Sequence, residues 1–167
     1  MSGQVHDNYI KTIALLEQLH RQFLELVKLE LDGLGARDIN SVQGLLLFNI
    51  SDAQMSVGDL TLRGCYLGSN VSYNVKKMVE NGYLTQERSM DDRRVIYVRP
   101  TEKGTKLRDK LQQMHERQVD MLHQSSITDE DLQAVTATLG RLERFWVHVP
   151  QTLDVGTTNF DRGVGRS

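Results

Sequence analysis

Six basic side chains, Lys76, Lys77, Arg88, Arg93, Arg94 and Arg99, crowd into one short stretch of a 167-residue chain whose formal net charge is -2. Ahead of and among them come Ser69, Asn70, Ser72, Tyr73 and Asn74, whose amides and hydroxyls both donate and accept hydrogen bonds. Ammonium and guanidinium groups suit phosphates, and short polar side chains suit the edges of bases. A neutral total with one basic patch fits a selective nucleic-acid binder better than a bulk electrostatic one. The acidic run Asp129, Glu130, Asp131 lies far along the chain.

Other chemistry is poorly supplied. The residues show no HExxH, no paired Cys/His spacing, no phosphate loop, no GxSxG and no supported acid pair. His20, His115 and His123 make no metal pattern, and Met114 and Met121 suit packing. We therefore expect no catalytic residues, no metal and no cofactor. Cys65 is the only cysteine, which excludes an intrachain disulfide and fits a reducing compartment. The N-terminus lacks a signal-peptide design and no apolar run would cross a bilayer. A cytoplasmic protein without a membrane partner is expected.

The elements that carry the patch can be read locally. Ser56 and Asp59 stand three apart, as in a capping box, and start a short helix that Gly64 breaks. Ser69 follows as a fresh N-cap candidate. Val71, Val75, Met78 and Val79 then share one face at helical spacing, and Gly82 stops the helix. Two helices joined by a Gly-containing turn form a helix-turn-helix. After Gly82 the period becomes that of strands, Tyr83–Arg88 and Arg94–Arg99, closed by Pro100. Between them Asp92 is placed to hold Arg94 by a charge-assisted hydrogen bond. A helix-turn-helix followed by a hairpin with arginine at its tip is a winged helix.

The flanks read as helices. Asp7 or Asn8 caps a first helix reaching about Leu34, with Ile10, Ile13, Leu16, Leu19, Phe23, Leu26 and Val27 on a wide stripe. Asn40-Ser41-Val42-Gln43 is a second capping box, before a short, mostly buried helix. Thr101 caps a helix bearing Leu107, Leu111 and Met114. Thr128 with Asp131 starts a last one, in which Leu132, Val135, Leu139, Leu142, Trp146 and Val149 form a heptad seam. Pro150 should end it, and residues 151–167 lack apolar periodicity. The fold class expected is mainly α with a small β-hairpin. It divides into an N-terminal dimerisation helix (1–35), a winged helix-turn-helix lobe (36–104), C-terminal dimerisation helices (105–149) and a tail (150–167).

The central stretch resembles the MarR family of winged-helix transcription regulators. The matching pieces are Val57-Gly58-Asp59-Leu60, the helix running into Glu80-Asn81-Gly82-Tyr83-Leu84, the wing Asp92-Arg93-Arg94, and Thr101-Glu102-Lys103-Gly104. The resemblance implies a homodimer on a near-palindromic double-stranded operator, with the second helix of the motif in the major groove. It assigns DNA contacts to Ser69, Asn70, Ser72, Tyr73, Asn74, Lys76, Lys77, Arg88, Asp92, Arg93 and Arg94. It also implies a repressor released by a small apolar or phenolic effector, with Phe23, Val27, Gln43 and Leu46 as candidate contacts. Two alternatives stand beside it. One is a redox-sensing regulator using Cys65, as in some relatives of that family. The other is a winged helix that binds protein instead of DNA.

Overall fold

The computed structural model describes residues 2–50, 54–64 and 68–153. Its elements in chain order are α1 (Ser2–Gly33), α2 (Ser41–Asn49), β1 (Met55–Ser56), α3 (Val57–Gly64), α4 (Gly68–Glu80), β2 (Leu84–Arg88), β3 (Ile96–Pro100), α5 (Glu102–Leu122) and α6 (Asp129–Leu153). The chain forms two compact units that divide within α5, after Arg117.

In the first unit one core gathers every element from α1 to α5. Val27 and Leu31 of α1 meet Leu46 and Leu47 of α2, Leu60 of α3, and Val71, Val75 and Met78 of α4. Ile39, Ile50, Met55 of β1, Tyr83, Leu84, Val98, Leu107, Leu111 and Met114 belong to it too. α5 contributes its Leu107, Leu111 and Met114 at steps of four and three, the one-sided spacing of a helix. The antiparallel sheet has the order β1-β3-β2, with Gln86 opposite Val98 and Met55 on the other side of Val98.

Local chemistry fixes most helix ends. The Asn40 side chain accepts from the Gln43 N–H at 2.9 Å, and Gln43 Oε1 accepts from the Asn40 N–H at 3.1 Å. Gly82 adopts φ +77, which admits a Tyr83 N–H bond to the Met78 carbonyl at 2.8 Å and closes α4. Thr101 Oγ1 accepts from the Gly104 N–H at 3.1 Å and opens α5.

Several boundaries differ from the sequence reading. α1 begins at Ser2, five residues before Asp7. Residues 2–6 carry no proline, and nothing local forbids one further turn. α4 begins at Gly68, so Ser69 lies inside the helix and not at its cap. β1 was not anticipated: two residues carry no period, and only pairing with Val98 and Tyr97 defines them. That pairing also alters the start of α3. Asp59 accepts from the Ser56 hydroxyl at 2.7 Å, in place of the expected backbone N–H. β3 starts at Ile96, which leaves Arg94 in the wing loop.

In the second unit, Thr128 opens α6 with the expected box: its N–H donates to Asp131 Oδ2 at 3.0 Å, and its Oγ1 accepts from the Asp131 N–H at 3.2 Å. α6 passes Pro150 and ends at Leu153. A proline inside a helix forgoes one ladder bond and crowds the carbonyl four residues back, which can kink a helix without ending it. Leu132, Val135, Leu139, Phe145, Trp146 and Val147 are all exposed on this single chain. Cys65 and residues 154–167 lie outside the described residues. Among the described residues no helix is long and apolar enough to cross a membrane, and no three His, Cys, Asp or Glu side chains could hold a metal ion.

Candidate nucleic-acid interface

α4 has two faces. Val71, Val75 and Met78 point into the core, all 2% exposed or less. On the other side Asn70, Ser72, Tyr73 and Lys76 are exposed, the first three along the first half of the helix and Lys76 beyond it. Ser69 belongs to the same helix; its side chain is not described.

Two residues assigned to this face are already engaged. Asn74 is half-buried: Oδ1 accepts from Gln43 Nε2 at 3.1 Å, and Nδ2 donates to the Asn70 carbonyl at 2.9 Å. Lys77 donates to Glu80 Oε2 at 2.7 Å. That hydrogen bond raises the lysine above its ordinary value and lowers Glu80 below its own. Lys77 therefore stays charged but locally compensated.

The wing is held by its own loop. Ser89 Oγ accepts from the Asp91 and Asp92 N–H groups at 3.2 and 3.3 Å. The Ser89 N–H donates to the Val95 carbonyl at 2.9 Å. Asp92 Oδ1 accepts from Arg94 N–H at 3.0 Å and from Nε at 3.1 Å, and Oδ2 accepts from Nη2 at 3.2 Å. The Arg94 side chain, then its backbone N–H, hold the Asp92 carboxyl below its usual value. The Arg94 side chain is nevertheless 91% exposed, so it is oriented without being covered. Arg88 Nη1 donates to the Arg93 carbonyl at 3.3 Å, and both side chains are exposed.

The joint between α4, the wing and α5 is polar. Asp38, in the α1–α2 connection, accepts from Tyr83 Oη at 2.6 Å and Lys103 Nζ at 2.7 Å. The hydrogen bond from Lys103, then that from Tyr83, lowers Asp38. Burial, then the bond to Asp38, pushes the Tyr83 phenol well up. Lys103 Nζ also lies 4.0 Å from the Tyr83 ring centroid. Sequence reasoning missed Asp38 because its partners lie more than forty positions away.

The four candidate effector contacts are not equivalent. Val27 and Leu46 are closed in the core, at 0% and 1% exposure, and Gln43 is occupied by Asn40 and Asn74. Phe23 alone is half-exposed. Its ring centroid lies 5.9 Å from that of His115, which is 4.6 Å from Phe48.

A packed helix pair, an exposed polar helix face and an arginine-tipped hairpin on one lobe define a winged-helix DNA-binding protein. Residues 39–104 match a sequence profile described as a winged helix DNA-binding domain. The chain is 34% identical over 138 residues to the exopolysaccharide II synthesis transcriptional activator ExpG of Rhizobium meliloti, covering 83% of this chain and 71% of that one. The fold is shared with Streptococcus pneumoniae FabT, solved in complex with DNA: TM-score 0.67, 19% identity, 84% of this chain and 99% of that one. It is shared too with Staphylococcus aureus MarR, solved with salicylate and kanamycin: TM-score 0.68, 18% identity, 87% and 97% covered. The chain belongs to the MarR family of winged-helix transcription regulators.

Proposed function

We propose that the chain acts as a homodimer on a near-palindromic operator, with α4 in the major groove and the Arg94 wing against the neighbouring minor groove. The observation that carries this reading is the exposed polar face of α4 on the same lobe as the exposed, carboxylate-oriented Arg94. Asn70, Ser72 and Tyr73 lie at the N-terminal half of the helix, the part that reaches base edges in helix-turn-helix docking. Lys76, Arg88 and Arg93 serve phosphates, and Lys77 does so only by sharing its charge with Glu80. Arg94 reads groove width, since narrow A·T-rich minor grooves attract arginine.

The dimer is supported by apolar surface that one chain leaves open. On α1 it comprises Val5, Ile10, Leu15, Leu19 and Leu26, and on α6 Leu132, Val135 and Leu139. Exposure on this scale along two helices marks an association surface. In this reading residues 1–35 and 105–149 supply the dimer interface and residues 36–104 the DNA-binding lobe.

Effector control is supported by the S. aureus protein, whose structure holds salicylate, a phenolic acid. In this chain the accessible aromatic group is Phe23 with Phe48 and His115, with Val27 and Leu46 behind it in the core. An effector acts here only by binding one spacing of the two recognition helices better than another. Release of a repressor is the first reading. The R. meliloti relative is named an activator, which favours activation as the second.

Selection from a pool of genomic fragments should return sites with two half-sites about 10 bp apart, centre to centre. Inserting half a helical turn between them should abolish tight binding. Binding that survives the insertion unchanged would rule out two-fold docking. Transcription from a promoter carrying the selected site, with and without the protein, separates repression from activation.

A further inference from the structure

Gln43 is the one buried polar side chain among the described residues, 6% exposed, in the helix that also carries the buried Leu46 and Leu47. A buried amide is costly unless each of its polar atoms finds a partner. Both of its ends do, and in a fixed order. The Asn40 backbone N–H donates to Gln43 Oε1 at 3.1 Å, Gln43 Nε2 donates to Asn74 Oδ1 at 3.1 Å, and Asn74 Nδ2 donates to the Asn70 carbonyl at 2.9 Å. The chain starts on a backbone donor and finishes on a backbone acceptor. Neither amide can therefore flip without setting like against like.

The same connection between α1 and α2 reaches the other end of α4. The Asp38 carbonyl accepts from Asn81 Nδ2, and Lys103, bound to the Asp38 carboxylate, donates to the Asn81 carbonyl at 2.8 Å. Residues 38–43 thus hold the recognition helix at Asn74 and at Asn81, on either side of Lys76 and Lys77.

We infer that Gln43 is a positioning residue for operator readout, which acts through Asn74 to fix the angle at which α4 presents Asn70, Ser72 and Tyr73. The inference rests on the operator reading above and deepens it. It also gives Asn74 a task besides base contact, because each end of its amide makes a hydrogen bond inside the lobe. The link runs from the start of α2 to the first turns of α4, so a change at α2 reaches the base-reading residues without passing through the wing.

The test variant is Gln43→Glu. A glutamate at this position keeps the capping box with Asn40, and its charge suits a helix N-terminus, so α2 is retained. It sets a carboxylate oxygen against Asn74 Oδ1, however, and Asn74 can meet that oxygen only by turning Nδ2 away from the Asn70 carbonyl, so the chain of bonds into α4 is broken in either case. The folded variant should lose roughly tenfold or more of the discrimination between the selected operator and its single-base variants. Its affinity for random duplex and its salt dependence should match the wild type. Gln43→Met, which removes the link without adding charge, should do the same. Full discrimination by both folded variants would overturn the inference, and so would a loss equal on operator, variants and random duplex, which marks a merely structural role. Amide hydrogen exchange on the DNA-free protein is the independent readout, with faster exchange expected in Gln43→Glu at Val71 to Asn74. A wild-type protein that prefers no fragment would sink the operator reading instead. The exchange result would then decide the link alone, unchanged protection overturning it.

Discussion

Replacing Gly104 by alanine should destabilise the protein, although helix propensity says the opposite. Gly104 lies in the first turn of α5, where alanine would ordinarily gain ~0.8–1.0 kcal/mol over glycine. A Cβ built there meets the Tyr83 carbonyl oxygen at 2.1 Å, its carbon at 3.2 Å and Leu47 Cδ1 at 3.5 Å. The obstacle is backbone, not a flexible side-chain end. That carbonyl is held in place: it accepts from the Thr101 N–H at 3.0 Å, and the Thr101 hydroxyl, whose shorter bond goes to the Gly82 carbonyl at 2.7 Å, lies 3.2 Å away. Its residue is pinned by the Tyr83 bond to Met78 behind Gly82. Overpacking typically costs ~1–3 kcal/mol, and each strained hydrogen bond about 1 kcal/mol more. The net loss should be about 2–4 kcal/mol, or a fall of roughly 5–15 °C in midpoint for a chain of this size. Thermal and denaturant unfolding at one fixed protein concentration reads it, because a dimer's midpoint depends on concentration. Gly33→Ala is the control: no heavy atom lies within 4 Å of its Cβ position, so it should be neutral or gain up to about 1 kcal/mol. A Gly104→Ala midpoint equal to or above wild type would show that the α5 start yields freely and that the packing reasoning is wrong.

Two further outcomes follow from single features. Leu139→Asp with Leu142→Asp should give monomers in sedimentation and remove tight operator binding, and a stable wild-type monomer at micromolar concentration would exclude the dimer. Asp38, lowered by Lys103 and then Tyr83, contributes stability that is complete above the ordinary aspartate value and fades as pH falls through its lowered folded value. The gap in unfolding midpoint between wild type and Asp38→Asn should therefore narrow below about pH 4, and a gap constant from about pH 6 to about pH 3 would refute that role.

Features whose partners lie within one turn were legible in the residues. The boxes Asn40–Gln43 and Thr128–Asp131 and the Asp92–Arg94 pair depend on side chains two or three positions from their partners, and the stop at Gly82 on backbone bonds that span three and five positions. The winged-helix class was legible for the same reason, since it is an ordered run of such local signals. What stayed hidden depends on distance along the chain. The strand Met55–Ser56 exists only because Val98 and Tyr97 arrive beside it. Asn74 shares its chemistry with its outward-facing neighbours Asn70, Ser72 and Tyr73, and only the arrival of Gln43 from α2 gives it a bond inside the lobe. Phe23 and Val27 share the apolar stripe of the first helix and Leu46 is an apolar residue of the second, and burial separates them: two are sealed and one is accessible.

The wing poses a question of charge. A DNA-binding chain at net charge -2 gives one of its most exposed arginines an aspartate partner two residues away. For bulk attraction this is wasteful, since each compensated cation weakens binding to any duplex. For shape readout it is useful. A guanidinium has five N–H donors in a rigid plane, and Asp92 takes those on Nε and one on Nη2. The remaining edge is held at one orientation and left in solvent. Asp92→Ala therefore separates the two roles. Freed of its partner, Arg94 should bind random duplex more tightly, by a fewfold at most, because exposed pairs are worth ~0–1 kcal/mol. Its preference for A·T-rich over G·C-rich flanks should fall at the same time, because the donor edge is no longer oriented. Titrations against one operator core with the two kinds of flank, at two salt concentrations, measure both. A variant that gains non-specific affinity and keeps the full flank preference would show that Asp92 only tempers charge and does not aim the arginine.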